Sequence, residues 1–374
     1  MINALEGVRI IAVEHAVAAP LCSRHLSEMG AEVIKIERPI TGDFARAYDD
    51  FVLGEASHFA WLNRGKKSVV LDLKSVVGKQ QLLRLLESAD VLISNLAPGA
   101  FERIISDAEL DQIKPLIRCH ISGYGPEGPY SDRKAYDLLV QGEAGVIAST
   151  GTETSKARPG ISVADLAGGL YALAAISAAL LERTRTGRGQ RIDISLFDSL
   201  AEWMSPLLLA NKYTGATPAP AGRGHASITP YGPYPTADGS EVQIAVQNDG
   251  QWHRLCIEVL NREDLSENAS LGTNSGRIEN RAFVEQEVTR SFRAIRLDRA
   301  IELLALADVP YGIMRDVPEV IHHPQLVDRG RWVSAISQAG KRFEALLPPF
   351  LKSSAQLGER KVPSLGEHTA EILG

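Results

Sequence analysis

The stretch Arg158–Arg183 constrains this chain more than any other. From Val163 it reads VADLAGGLYALAAISAALL before Glu182, almost entirely apolar or small. That length and composition predict a buried helix, packed closely through its alanines and glycines. Asp165 is the only acidic residue between Glu153 and Glu182, and it falls in the first turn. Two readings compete for it. In one, Ser162-x-x-Asp165 is a capping box with Asp in place of the more usual Glu or Gln. In the other, Asp165 is a carboxylate nucleophile or base at the mouth of a pocket, kept ionised at neutral pH by the positive end of the helix dipole.

The 374 residues suffice for two domains, and 44% of them are apolar, enough for a sizeable core. A net charge of −6 argues against a nucleic-acid surface. Cys22, Cys119 and Cys256 are widely spaced, so neither a zinc site nor a disulfide framework is signalled. The N-terminus shows no basic segment followed by an apolar run. The longest apolar stretch contains Asp165 and several Gly and Ala, and reads as core rather than as a membrane span. The expectation is a soluble, cytoplasmic protein that binds neither nucleic acid nor membrane, with no metal.

Along the chain, strands at 8–14, 32–37, 68–73, 91–94 and 116–122 alternate with helices at 20–29 and 77–88. Alternation of this kind predicts a parallel sheet covered on both faces, with right-handed βαβ connections. Ligands of such sheets lie beyond the carboxyl ends of the strands. No G-x-G-x-x-G and no G-x-x-x-x-G-K-[ST] is present, so neither a dinucleotide pyrophosphate nor ATP hydrolysis is signalled. His15 ends the first strand, either as a ligand contact or as a hydrogen-bonded structural imidazole. Lys35, Arg38, Arg64, Lys66, Lys67, Lys74 and Arg103 cluster around the following strand ends. On an acidic protein that clustering favours a phosphorylated small ligand over a merely solvated rim.

Ser122–Tyr130 (SGYGPEGPY) is a loop whose backbone can approach a ligand closely. Asp137 opens a short apolar segment, with a capping role as the simpler reading. A further strand at 192–196 and a helix at 197–211 complete a large domain over residues 1–212. Residues 213–224, rich in Pro, Gly and Ala, read as a linker. A smaller domain follows over 225–325. It has a hairpin at 232–247 turned by Asp238-Gly239, a polar loop at 247–251 and a helix at 252–260. Further helices are expected at 280–293 and 298–307, a strand at 309–313 and a helix broken by Pro324. Residues 326–374 return as linker and short strands, with a helix start at Ser364-x-x-Glu367.

Several ordered segments together resemble the family III (CaiB/BaiF) CoA-transferases from end to end. They are Leu5–Ile11 (LEGVRII), His15–Pro20 (HAVAAP), Val33–Pro39 (VIKIERP), Asn63–Lys67 (NRGKK), Leu71–Lys74 (LDLK) and Asn95 with Pro98-Gly99. Ser122–Gly125 (SGYG), Lys134–Asp137 (KAYD), Val163–Gly168 (VADLAG), Gly187–Gln190 (GRGQ) and Leu365–Thr369 (LGEHT) continue the series. The resemblance implies an α/β fold: a Rossmann-like large domain with a parallel sheet, built from both chain ends, plus a smaller α+β domain. It also implies a homodimer of two interlocked rings.

By that resemblance Asp165 matches the catalytic aspartate. Its carboxylate would attack a thioester to form a mixed anhydride, which the released thiolate converts to an aspartyl-CoA thioester. Coenzyme A then passes to a second acid through a new anhydride, without ATP or metal. Contacts to coenzyme A carry over onto His15, Ala18, Arg38, Leu71, Lys74, Asn95, Arg103, Lys134 and Tyr136, with Arg38, Lys74 and Arg103 as phosphate partners. Asp137 supports the centre, and Asn248, Gly250 and Gln251 belong to a lid or oxyanion loop. Candidates for holding a second substrate carboxylate are Arg46, His58, Arg223, His225 and Tyr231.

The segment from Arg223 to Pro233 resembles the branch acting on short dicarboxylyl-CoAs of succinyl, itaconyl, mesaconyl or citramalyl type. Position 17 is Val where oxalate-specific members carry Gln, against formyl/oxalate use. The α-methylacyl-CoA racemases place a His immediately before the equivalent of Asp137. Here that residue is Tyr136, a poor base at neutral pH. The third reading, a non-catalytic CoA-binding protein, needs Asp165 to be only a cap.

Overall fold

The computed structural model describes residues 3–113, 115–352 and 358–374. The chain divides into two compact units. One comprises residues 1–146, 159–205 and 324–374, the other residues 147–158 and 206–323.

The first unit is organised by six strands: β1 (Arg9–Val13), β2 (Glu32–Glu37), β3 (Lys67–Val70), β4 (Val91–Ser94), β5 (Ile117–Ser122) and β6 (Arg191–Ser195). They form one sheet in the order β3-β2-β1-β4-β5-β6, with every pairing parallel. Its helices are α1 (Ala18–Glu28), α2 (Ser57–Asn63), α3 (Val76–Glu87), α4 (Asp107–Leu110), α5 (Asp137–Glu143), α7 (Val163–Thr186) and α8 (Leu196–Trp203), while all but the first residue of α6 (Val146–Ser149) belongs to the second unit. Alternate strand residues feed two cores. Ile10, Ala12, Val33 and Ile93 pack with α1, α7 and α8, while Ile11, Val13, Ile34 and Leu92 pack with α3 and Phe101. Both faces are therefore covered, as an all-parallel sheet requires. The strand order reverses between β1 and β4, which opens a crevice at their carboxyl ends.

The small residues of α7 are there for contact. A Cβ on Gly169 would lie 2.6 Å from the Ala18 carbonyl oxygen, and one on Gly168 would lie 2.4 Å from Leu196 Cδ2. Gly169 lets α7 meet the backbone of α1, and Gly168 makes room for the Leu196 side chain of α8. By length and composition α7 could cross a membrane, but its Ala164, Ala167, Ala172, Ile176 and Ala179 are buried in the first unit. The expected helix over 197–211 is two helices, α8 and Ser205–Thr214. The chain returns at its end as β10 (Trp332–Ile336), β11 (Arg342–Leu346) and β12 (Arg360–Lys361), a small separate sheet.

The second unit carries β7 (Tyr231–Pro235), β8 (Glu241–Ala245) and β9 (Tyr311–Ile313) in an antiparallel sheet. Tyr234, Ile244, Trp252, Leu255, Val288 and Phe292 form its core. The polar loop expected at 247–251 is instead a helix start. The Asn248 side chain accepts from Gln251 N at 2.9 Å and caps the helix Asp249–Arg254. Gly250 and Gln251 lie in its first turn, and the Gln251 side chain accepts from Gln247 N at 2.7 Å.

Candidate active site

A cleft of about 670 Å³ opens at the carboxyl ends of β1, β2 and β3, and Arg38, Lys74 and Arg103 line it together with His15, Phe44 and Leu71. All three cations are exposed, and none has a salt-bridge partner among the described residues. Arg38 donates its Nε to the Gly42 carbonyl at 2.8 Å, which leaves its terminal nitrogens open.

The other cations of the predicted rim lie elsewhere. Lys35 and Lys66 are buried and paired: Lys35 Nζ sits 2.8 Å from Asp43, and Lys66 Nζ sits 2.6 Å from Glu14. Arg64 is buried against Glu28 at 2.8 Å. Lys67 bridges Glu32 and Glu371. The physical reason is the doubly covered sheet, in which an inward-pointing charge is tolerated only with a partner.

The turn between β1 and α1 is held from three sides. His15 N donates to Asn95 Oδ1 at 3.0 Å, and Asn95 Nδ2 donates back to the His15 carbonyl at 2.8 Å. Asn95, expected to touch coenzyme A, thus directs both arms of its amide at this backbone. Ala16 follows with φ of 62°, and its N–H donates to Asp43 Oδ1 at 3.1 Å. The His15 ring lies 4.7 Å from the Phe44 ring, and burial lowers its pKa, so the imidazole is neutral at pH 7. Ala18 is buried at the start of α1, whose N-cap Val17 offers no side-chain acceptor.

Asp165 lies half-buried in the first turn of α7. The capping box expected from Ser162 is absent, since the Ser162 side chain makes no cap hydrogen bond. Asp137, buried, takes that place. Its Oδ1 accepts Ala164 N at 2.9 Å, and its Oδ2 accepts Gln141 Nε2 at 2.6 Å. Among the described residues Asp165 itself has no hydrogen-bond or ion-pair partner. Burial, with the charge of Asp137 adding to it, pushes Asp165 up to about 7. The helix dipole, expected to help keep Asp165 ionised, is outweighed by burial. A first-turn dipole interaction is worth about 0.3–1 kcal/mol, whereas moving a carboxyl from 3.8 to about 7 reflects about 4 kcal/mol.

Tyr48 is a residue that no motif pointed to. Its hydroxyl is pushed up to about 12, by burial first and then by Asp43, Asp165 and Tyr136, so Tyr48 is a protonated donor within electrostatic reach of Asp165. Its ring belongs to a row running His15, Phe44, Tyr48, His58 and Trp61, with neighbouring centroids 4.7 to 6.3 Å apart. Position alone in the sequence gave no signal of this.

His58 has an enclosed Nδ1 with no hydrogen-bond partner. Arg46, the other substrate candidate of this unit, is engaged elsewhere. It pairs with Glu37 at 2.7 Å, lies 3.8 Å over the Phe59 ring and donates to Gln338 and to the Pro363 carbonyl. Tyr136 is 65% exposed, before the first residue of α5, and Lys134 is exposed two residues earlier. In the SGYG loop, Gly125 N donates to Ser122 Oγ at 3.0 Å, which removes that amide from oxyanion binding.

In the second unit Arg223 forms a two-pronged ion pair with Glu241 at 2.6 and 2.8 Å. His225 lies 5.1 Å from the Tyr231 ring. Among the described residues no three His, Cys, Asp or Glu side chains gather into a metal-binding set.

Residues 5–369 match the model of CoA-transferase family III. The chain is 35% identical to the succinate–glutarate CoA-transferase of Agrobacterium fabrum, over 99% of this chain and 94% of that protein. It is 33% identical to the human succinyl-CoA:glutarate CoA-transferase, over 100% of this chain and 86% of that protein. The crystal structure of a CaiB/BaiF family protein from Brucella suis superposes with a TM-score of 0.83 at 32% identity, covering 100% of this chain and 99% of that one.

Proposed function

This chain belongs to CoA-transferase family III, and on that premise we propose that it moves coenzyme A from succinyl-CoA or a related short dicarboxylyl-CoA to a free dicarboxylic acid, with Asp165 as the covalent carrier. The observation that carries the proposal is the state of Asp165. It is a half-buried carboxyl in the first turn of α7 with no hydrogen-bond or ion-pair partner among the described residues, and burial raises its pKa to about 7.

The ionised Asp165 attacks the thioester carbonyl, breaking the C–S bond and leaving a mixed anhydride and the CoA thiolate. The thiolate attacks the Asp165 acyl carbon, releasing the donor acid and forming an aspartyl-CoA thioester. The acceptor carboxylate attacks that thioester, again freeing the thiolate. The thiolate then takes the acceptor's acyl carbon and returns Asp165 as a carboxylate. Each step exchanges one activated acyl bond for another, so no intermediate becomes a sink. Arg38, Lys74 and Arg103 hold the phosphates of coenzyme A. Tyr48, its hydroxyl pushed up to about 12, is a neutral donor within electrostatic reach of the carrier. The preference for a second carboxylate follows the succinate, succinyl-CoA and glutarate in the relatives' names. The working protein in this reading is a soluble, cytoplasmic, interlocked homodimer.

The test is to mix the intact protein with succinyl-CoA between pH 6 and 8, quench with borohydride or hydroxylamine, and map the product by mass spectrometry. A modification at Asp165 is expected, absent in Asp165→Ala, with a trapping rate that rises with pH and levels above about 7. No adduct at Asp165, together with deuterium exchange at the α-carbon of a branched acyl-CoA, would mean racemase chemistry instead.

A further inference from the structure

We infer that Asp43 is a positioning residue for the coenzyme site, holding the β1–α1 turn in a conformation the turn does not favour by itself. Ala16 has φ of 62°, a left-handed conformation in which its Cβ crowds the backbone. Among the described residues, Asp43 and Asn95 hydrogen-bond the backbone of this turn and oppose its relaxation. Asp43 Oδ1 accepts both Ala16 N at 3.1 Å and Ala45 N at 2.9 Å. Its Oδ2 accepts Lys35 Nζ at 2.8 Å, and its own N–H donates to Glu37 Oε2 at 2.9 Å.

Lys35 also lies 3.4 Å from Glu14, which Lys66 approaches to 2.6 Å and to which Ser23 donates at 2.7 Å. Asp43, Lys35, Glu14 and Lys66 are all buried, two carboxylates matched by two ammoniums. The cluster fixes Asp43 from behind. Asp43 in turn fixes the peptide that leads from His15 into α1, and His15, Asp43 and Phe44 all line the cleft. The left-handed penalty of an alanine corresponds to about a 5–30-fold preference for a relaxed turn once the clamp is gone.

The inference rests on the cleft being the coenzyme site, so the experiment reads binding rather than turnover. Calorimetry with free coenzyme A compares the full-length protein with Asp43→Ala, Asp43→Asn and the double variant Ala16→Gly/Asp43→Ala. Asp43→Ala is expected to weaken binding about 5–30-fold. Glycine adopts the same φ without penalty, so the double variant regains most of the loss. Asp43→Asn, which keeps an acceptor for both amides, loses less than Asp43→Ala although Lys35 loses its ionic partner.

Undiminished binding by Asp43→Ala overturns the inference. So does a loss that Ala16→Gly fails to restore, or an equal loss in Asp43→Asn, because either result assigns Asp43 to charge balance alone. If Asp43→Ala does not fold, Ala16→Val in the otherwise intact chain carries the test, and binding as tight as wild type refutes the clamp. Failure of the wild-type protein to bind coenzyme A would instead count against the proposed function.

Discussion

Replacing Asp165 by Asn removes the carrier and should make the protein more stable at neutral and alkaline pH. The folded protein holds this carboxyl at about 7 against an ordinary 3.8, because burial and the Asp137 charge both favour the protonated form. Its contribution to stability is therefore full below pH 3.8 and is lost as pH rises through about 7. At pH 8 the ionised group costs the fold about 4 kcal/mol. Solvent reaching the half-buried carboxylate screens part of this, leaving about 2–4 kcal/mol. An isosteric neutral amide escapes that cost, so Asp165→Asn should unfold about 4–8 °C higher at pH 8. The gap should narrow steadily as both proteins are taken toward pH 4. Thermal unfolding followed by circular dichroism across that range is the assay. A variant no more stable than wild type at pH 8, or one whose advantage does not change with pH, would refute the claim that burial holds this carboxylate in a strained state.

Two further outcomes follow from the same geometry. Arg38→Ala, Lys74→Ala and Arg103→Ala should each weaken coenzyme A binding by about 10–150-fold at low salt, the worth of a charge-assisted phosphate contact, and by less at high salt; calorimetry at two ionic strengths checks this, and a variant that binds as wild type removes its cation from the site. Gly169→Ala places a Cβ 2.6 Å from the Ala18 carbonyl oxygen, so the strain should outweigh the gain in helix propensity and cost about 1–2 kcal/mol; an unchanged or higher urea midpoint would refute the close approach of α1 and α7.

Much of the fold was legible because its signals are local. The run from Val163 to Leu181 announced a packed core helix, and the alternation of short strands and helices announced a parallel sheet. The fate of the charges was not legible. In Glu32–Glu37 every residue except Glu32 is buried, so Lys35 points into the protein. Its partners Glu14 and Asp43 come from other segments, and no spacing rule links them. The same limit applies at Asp165. Its position in the first turn could be read directly. Its protonation could not, because that depends on burial and on Asp137, whose contact with Ala164 joins residues 27 positions apart. Tyr48 was missed for the same reason, since it belongs to the site only by proximity. Arg38, Lys74 and Arg103 were named as phosphate partners from the family resemblance, because a list of seven nearby cations could not by itself separate rim from core.

That separation sorts the charges of the first unit by the partners each is given. The buried cations are neutralised by carboxylates and give the turn at Ala16 its shape. The rim cations are left open for a polyanion. Among the described residues no cation pairs with Asp165, the proposed carrier. A cation beside Asp165 would lower its pKa and make it a weaker nucleophile and a better leaving group. Burial does the reverse. At pH 7 a carboxyl held at about 7 is about half ionised, a roughly twofold loss of active form, while the raised basicity strengthens its attack on a thioester. The next unit upward would cost about fivefold in the ionised fraction and each one after it about tenfold, more than the added nucleophilicity returns. Burial first, and the charge of Asp137 second, raise Asp165 to about 7 against the opposing dipole of α7.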